Sequence, residues 1–524
     1  MKEVIIIGGG IVGVSAALHL ASSSGFSATV IEANDEVCAV SEASGANCGI
    51  VTGGFGNSLK DRLVRQSRLI YSTLGPSIGF RHCVEVCACH NEAQKAFSLR
   101  LAQESEGTAW VVETEEEMSK IEPALVPFAE DVVGYLCFQA AVAERGPTGA
   151  AIAQAAKRAG ARVLTGHRVK ALSPIPGSGG RWRVTCTMSS PHRLSGGAHG
   201  FLEDGQKKTL PPEDSECPTR CQSTCHFEDE GEGEVPRREM EEVTIEADVV
   251  ALTAGWRCQE LAKEVGVDLP VFPVRGQMWA VAHPSGQGAG AETKGGSPPC
   301  LLPRAAVASM ESETFWHLEG RHCGDSGLPR GEGRPIPLLP SVTHDSEGGE
   351  RKARHLYAKV NAAGEFICGG DRVSLGTVTE SNVATTGGFK KKTENADIPI
   401  SGKVTMEGIR VNRSHLESIL PCVGSLGPER RLWSALMPWT PSERPIVGSL
   451  CPPLSSGPPF GEEGGEGVDV LSLRNLFVGT GGCSMGFSMG AGMGVLLAEC
   501  VIAGRSLEDE TDPQKFCEWA VGEK

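Results

Sequence analysis

The chain has 524 residues, 67 of them glycine and 32 proline, and a formal net charge of −16. Its length exceeds one ordinary hydrophobic core and suits two packed domains interrupted by insertions. The acidity argues against nucleic-acid binding or a polybasic membrane-surface role. The nineteen cysteines are scattered and no basic-then-apolar leader precedes the first strand, so free thiols and a cytoplasmic location are expected, with an organelle left open if the N-terminus is truncated. No apolar stretch is expected to reach the roughly 20 residues a transmembrane segment needs.

In chain order, Val4-Ile5-Ile6-Ile7 is a β-branched run that suits a buried parallel strand. Gly8-Gly9-Gly10 follows, then an Ala-rich apolar helix from Ile11 to Ala21, then a second strand, Ala28 to Ile31, ending in Glu32. Strand, glycine turn, helix and strand within about thirty residues are the compass of a mononucleotide-binding half. Glu144 to Gly160 has helical spacing; Arg162 to Leu164 and Arg168 to Leu172 read as short strands. Arg181 to Met188 pairs naturally with Val243 to Ala247, leaving 189–242 as an insertion at a hairpin tip. Two further stretches, 284–350 and 451–467, are rich in Gly, Pro, Ser and acidic residues, and all three insertions are expected to be disordered. A strand fragment is expected at Phe315 to Leu318 within the second. Order returns at His355 to Tyr357 and Glu365 to Gly369, and again from Asn475 to Gly504.

Three motifs carry chemistry. Gly8-x-Gly10-x-x-Gly13 gives a tight turn, close backbone approach to a pyrophosphate, and close packing of helix on strand. Glu32, nineteen residues after Gly13, is placed to accept hydrogen bonds from a ribose and to repel a 2′-phosphate, so FAD or NAD fits and NADP does not. Ser44-Gly45-Ala46-Asn47-Cys48-Gly49 offers small residues and two polar side chains a short loop later. Asn475 to Gly482 reads as a strand entering a Gly-rich loop that Cys483 to Gly486 complete, with an apolar helix beyond; such a helix N-terminus can face a group that accumulates negative charge.

From Ser44 onward the chain resembles the D-amino-acid oxidase superfamily of flavoproteins. Among its members it is most similar to bacterial-type D-amino acid dehydrogenases, and more loosely to glycine oxidase and monomeric sarcosine oxidase. Glu122 to Leu125, Pro273-Val274-Arg275-Gly276, Thr440-Pro441 to Gly448, and Met485 to Met489 look like family blocks. The resemblance implies an α/β fold: a glutathione-reductase-like, Rossmann-type FAD-binding domain with a discontinuous mixed-sheet substrate domain. The first would take roughly 1–70, 145–265 and 425–510, the second 71–144 and 266–424. It also turns the cofactor from NAD towards FAD. The cofactor-binding set expected from these segments is Gly8, Gly10, Ile11, Val12 and Gly13; Glu32 and Ala33; Ser44, Gly45 and Asn47; Val169; Ala254 and Gly255; and Gly481, Gly482, Met485 and Gly486.

The chain departs from the pattern at the substrate. Relatives that oxidise amines and amino acids place an arginine one residue before the proline of the block preceding Thr-Pro, where it clamps the substrate carboxylate. Here Met437 stands in that place. Either the clamp comes from elsewhere, with Arg275, Arg410, Arg413 and Arg444 as candidates, or the substrate is not a simple amino acid. The position of a flavin-linking cysteine in sarcosine oxidases falls on Ala435, which implies non-covalent FAD, and Ser488 is nearest to their oxygen-assisting lysine. No catalytic acid or base is assigned. Cys217, Cys221, Cys225 and His226 lie within the first insertion with non-zinc spacing, and no metal site is expected. Cys83, Cys87 and Cys89 fall on a strand and suit core thiols.

The reading is an FAD-dependent oxidoreductase that dehydrogenates a small amine or amino acid by hydride transfer to the flavin N5. One alternative is a 2-hydroxy acid or polyol-phosphate dehydrogenase, another a non-catalytic flavoprotein assembly factor. The expected partner is a small-molecule substrate, with a quinone, an electron carrier or oxygen as the acceptor left open.

Overall fold

A computed structural model describes residues 1–188, 241–282, 303–309, 350–374, 404–451 and 473–516, apart from Phe55, Glu106 and positions 421, 422, 424, 425 and 427. Its first layer is a six-stranded sheet in the order Ile446–Ser449, Leu476–Thr480, Val249–Leu252, Lys2–Ile7, Phe26–Ile31 and Arg162–Leu164. Every neighbouring pair is parallel except the first. The β-branched run of the first strand is buried because both faces are covered: Val4 and Ile6 belong to one apolar cluster, Ile5 and Ile7 to another. The helix that follows spans Ile11–Ala21, as its apolar spacing predicts.

The second layer is a nine-stranded mixed sheet. Arg431–Trp439, Phe272–Ala282, Glu365–Ser374 and Glu350–Val360 run side by side at one end. Ala306–Ser309, Arg81–Cys89, Gly134–Val142 and Ile50–Val51 complete the path, and Ala109–Val112 pairs with Gly134–Val142. One face packs Val86, Trp279, Phe366 and Cys368 against Ile409 and Leu416 of the helix Met406–Glu417. A separate three-stranded antiparallel sheet joins His167–Pro174, Trp182–Met188 and Glu242–Ala247, with Val243 opposite Cys186 and Ala247 opposite Trp182, the hairpin pairing expected from sequence.

Two expectations need correction. The stretch 284–350 is not wholly an insertion, because Ala306–Ser309 forms a strand parallel to Arg81–Cys89 with Val307 beside Val86. Four residues of small and β-branched character carry too little periodicity to stand out between Gly- and Pro-rich flanks. Positions 284–302 and 310–349 of that stretch, including Phe315 to Leu318, lie outside the described residues, as do 189–240 with Cys217, Cys221, Cys225 and His226, and 452–472. The second correction concerns apolar length. Cys483–Ala503 is 21 residues and holds an 18-residue window of mean hydropathy 1.6, long and apolar enough to cross a membrane, but 78% of that window is buried inside the protein. Its apolar character is that of a core helix, which is hydrophobic all round because protein surrounds it.

That C-terminal helix, Gly486–Ala503, owes its position to small residues. A Cβ at Gly490 would lie 2.3 Å from Ile11 Cγ2, and one at Gly494 would lie 2.5 Å from the Val12 carbonyl oxygen. The backbone of this helix therefore touches both side chain and backbone of the Ile11–Ala21 helix, and their N-termini converge on one place.

Candidate active site

The convergence point is a cavity of about 440 Å³. Ile7, Ile31, Thr253 and Thr480, at the carboxyl ends of strands in the six-stranded sheet, line it from one side. Gly276, Gly369, Arg372, Ala435 and Met437 of the nine-stranded sheet line it from the other. Ligands of open α/β sheets bind outside the carboxyl ends of the strands, so the fold alone places a site here.

The dinucleotide half is built from the first turn upward. Gly8 has φ +112°, and a Cβ there would come within 2.5 Å of the Thr253 carbonyl oxygen, so only glycine makes the turn. The Thr253 hydroxyl donates towards the Ile7 and Gly8 carbonyls at 3.0 and 2.9 Å, tying the turn to the neighbouring strand. Gly10 is the helix N-cap and offers no side-chain cap. Ser44 supplies one acceptor from outside, its Oγ taking the Ile11 N–H at 3.1 Å. Gly10, Ile11 and Val12 line the cavity, so the positive end of the helix is presented to it.

Glu32 is 8% exposed and lines the same cavity. Its Oε2 accepts from the Gly9 N–H at 2.6 Å, and its Oε1 accepts from the Asn34 backbone N–H at 2.8 Å and the Asn34 side-chain amide at 2.7 Å. The carboxylate is fixed by three donors, and about one of its four lone-pair sites remains for a ribose. Ser44 and Asn47 line the cavity beside it. Two residues that sequence reading did not single out hold this segment. Arg145 donates to the Ala46 and Asn47 carbonyls at 3.0 and 3.2 Å, and Trp433 Nε1 donates to Ala46 O at 2.8 Å. The Arg145 guanidinium lies 4.3 Å from the Trp433 ring centroid, and burial lowers its pKa. They come from positions 99 and 387 residues away from Ala46, so no local pattern signals them.

Of the other expected cofactor residues, Ala33, Val169, Ala254, Gly255, Gly482 and Gly486 line the cavity. Gly13, Gly45, Gly481 and Met485 do not line it and serve behind it. A Cβ at Gly13 would fall 2.0 Å from the Gly8 carbonyl oxygen, and one at Gly45 would fall 2.1 Å from that of Cys38. An acid fixed at the ribose position, two helix N-termini and a wall of small residues fit the negative charge and extended shape of FAD.

The expected substrate residues divide. Met437 and Ala435 line the cavity. Ser488 also lines it, but its hydroxyl is engaged by backbone: it accepts from the Thr52 N–H at 3.1 Å and donates to Ile50 O at 3.3 Å. Arg275, although only 2% exposed, is not among the lining residues. It shares strand parity with Gln277, whose amide bonds Asp371 and Thr405 on the helix-covered face. Arg410 is exposed, and Arg413 pairs with Glu417 and Glu429 at 3.4 and 2.7 Å. The arginine that does reach the cavity is Arg372, which is 4% exposed. Its guanidinium carbon lies 5.6 Å from the Trp439 ring and 5.9 Å from the Tyr357 ring, and burial lowers its pKa while a hydrogen bond to the Tyr357 side chain opposes that shift.

Residues 3–199 match the DAO family of FAD dependent oxidoreductases. No curated protein matches the sequence. Among solved structures, the fold is similar to glycine oxidase from Geobacillus kaustophilus, at 17% identity and TM-score 0.59 over 98% of each chain. It is similar to L-proline dehydrogenase from P. horikoshii, at 15% identity and TM-score 0.59 over 99% of this chain and 98% of that one. It also resembles L-alpha-glycerophosphate oxidase from Mycoplasma pneumoniae, at 13% identity and TM-score 0.56 over 98% and 97%.

Proposed function

We propose that this chain, whose residues 3–199 match the DAO family of FAD-dependent oxidoreductases, dehydrogenates a small amine or amino acid. The observation that carries this reading is the junction within one cavity of the dinucleotide half with a wall bearing a buried cation beside Met437 and Trp439. A buried positive charge next to apolar side chains suits a compact substrate with one anionic end and one carbon skeleton. Glycine oxidase and L-proline dehydrogenase, which share the fold, are named for amino acids, and that supports the same class.

FAD, when bound, supplies the hydride acceptor. The protein's part is placement. Glu32 and the Ile11–Ala21 helix N-terminus would hold its adenosine and phosphate end, and Arg145 with Trp433 fixes the segment around Ala46 beside them. On the opposite wall, Arg372 and the Met437 thioether set where the polar and apolar ends of a substrate lie. Such positioning lowers the barrier by restricting the reacting carbon to one approach.

The test is anaerobic reduction of the purified yellow protein by a panel of D- and L-amino acids, N-methyl amines, 2-hydroxy acids and glycerol 3-phosphate. Bleaching of the flavin band by at least one amine or amino acid, and not by the others, is expected. Bleaching by 2-hydroxy acids or glycerol 3-phosphate alone would transfer the chain to the alcohol-oxidising class.

A further inference from the structure

The geometry points to Arg372, seconded by Tyr357, as the group that binds the substrate carboxylate in place of the arginine missing at Met437. The inference rests on the proposed amine or amino acid class.

The register gives the first argument. Gly276 lies opposite Arg372 on one side and opposite Ala435 on the other, so the three residues form one row across three strands and all line the cavity. Neighbouring strands are about 4.8 Å apart, which starts the Arg372 side chain about 10 Å from Ala435. Gly276 puts no side chain in the way, and the atom nearest its vacant Cβ position is the Met437 methyl at 3.1 Å. The guanidinium ends over Trp439, a member of the apolar cluster against which Met437 packs. A long side chain thus delivers a charge from two strands away to the neighbourhood of Met437.

A β-bulge gives the second. Phe366 and Cys368 face the helix Met406–Glu417, and strict alternation would send residue 372 the same way. The pairing instead passes from Met278–Gly369 to Gln277–Asp371, leaving Gly370 as an extra residue with φ +142°. One inserted residue exchanges the faces of everything after it. Asp371 therefore takes the helix side, where its Oδ2 accepts from Gln277 Nε2 at 2.9 Å, and Arg372 takes the cavity side. Bulges of this kind re-aim side chains beside active sites.

The third argument is chemical. A guanidinium keeps its charge even when buried, so the cavity carries a fixed cation beside a thioether and an indole. The Tyr357 ring lies 5.9 Å from the Arg372 guanidinium carbon, and Tyr357 lines the cavity as well. A phenol oxygen can donate as well as accept. One planar fork plus one O–H matches the two coplanar oxygens of a carboxylate; a phosphate, with three oxygens, calls for more donors than this row provides.

The experiment uses the FAD-loaded full chain and two probes of equal shape, benzoate and benzamide, followed by isothermal calorimetry and by flavin difference spectra. Wild type should prefer benzoate by at least about 30-fold, and Arg372→Gln should lose that preference with benzamide affinity unchanged, because removing one partner of a buried charge pair weakens binding by that much or more. Tyr357→Phe should weaken benzoate alone by about 10-fold or more, the worth of one hydrogen bond to an anion. Adding Met437→Arg to Arg372→Gln should recover part of the lost preference. Flavin content and melting temperature establish that each variant is folded, and Tyr357→Phe decides the matter if Arg372→Gln does not fold. Equal affinity of wild type for the two probes, or benzoate binding unchanged in Arg372→Gln or in Tyr357→Phe, overturns the assignment. If that occurs while amino acids still bleach the flavin, the clamp is wrong and the class stands; reduction by glycerol 3-phosphate alone removes the class itself.

Discussion

Replacing Glu32 with glutamine isolates one carboxylate oxygen with almost no change of shape. In the structure three N–H donors converge on this group, one on Oε2 from Gly9 and two on Oε1 from Asn34. A glutamine has one oxygen and one NH2, so it satisfies either Asn34 or Gly9 but not both. The better flip keeps the two Asn34 bonds and turns an N–H towards the Gly9 N–H across a 2.6 Å gap. One hydrogen bond to a charged acceptor is lost and one donor is opposed, which costs about 1.5–3 kcal/mol. A ribose held by the same group loses its charged acceptor, and the same range corresponds to about 10- to 150-fold weaker FAD binding. The assay is reconstitution of the apoprotein followed by quenching of FAD fluorescence, with the melting temperature of the apoprotein in parallel. An E32Q variant that binds FAD within threefold of wild type and melts at the same temperature would refute the placement of Glu32 and the energetics drawn from its bonds.

Gly494→Val should destabilise the protein by about 1–3 kcal/mol or more through overpacking, since its Cβ would start 2.5 Å from the Val12 carbonyl oxygen and 2.6 Å from Ser15 Cβ. Gly146→Ala, where a Cβ meets nothing within 4 Å, should be neutral or slightly stabilising; calorimetric melting that fails to separate the two variants contradicts the helix contact. Cys38, Cys137 and Cys258 should resist iodoacetamide at pH 8 until the protein is unfolded, because burial pushes each thiol up from 9.0 to about 12. A folded pKa above the unfolded one contributes stability that is fully present below about 9 and is lost as pH rises towards about 12, so melting temperature should fall through that alkaline window. Rapid labelling of all three in the native state, seen by mass spectrometry, would contradict their burial.

What was legible in the sequence was local. Gly8, Gly10 and Gly13 stand within six residues, and Glu32 ends the next strand, so turn, helix and acid could be read from spacing alone. The strand Val4 to Ile7 and the helix Ile11 to Ala21 announce themselves by β-branching and by apolar period, and the C-terminal glycine loop did the same at the other end. Sequence also showed that the usual arginine is missing at Met437. It could not show what stands nearby instead, since that depends on non-local pairing and on a register shift. Arg275 lies inside one of the family-like blocks, yet alternation turns it away from the cavity. Arg372 belongs to another strand and faces the cavity only because Gly370 is an extra residue in the ladder. Arg145 and Trp433 converge on Ala46 across 99 and 387 positions. A strand's period of two fixes which residues share a face only while the ladder is regular; where it bulges, and where strands distant in sequence meet, only the tertiary structure decides which side chains share a site.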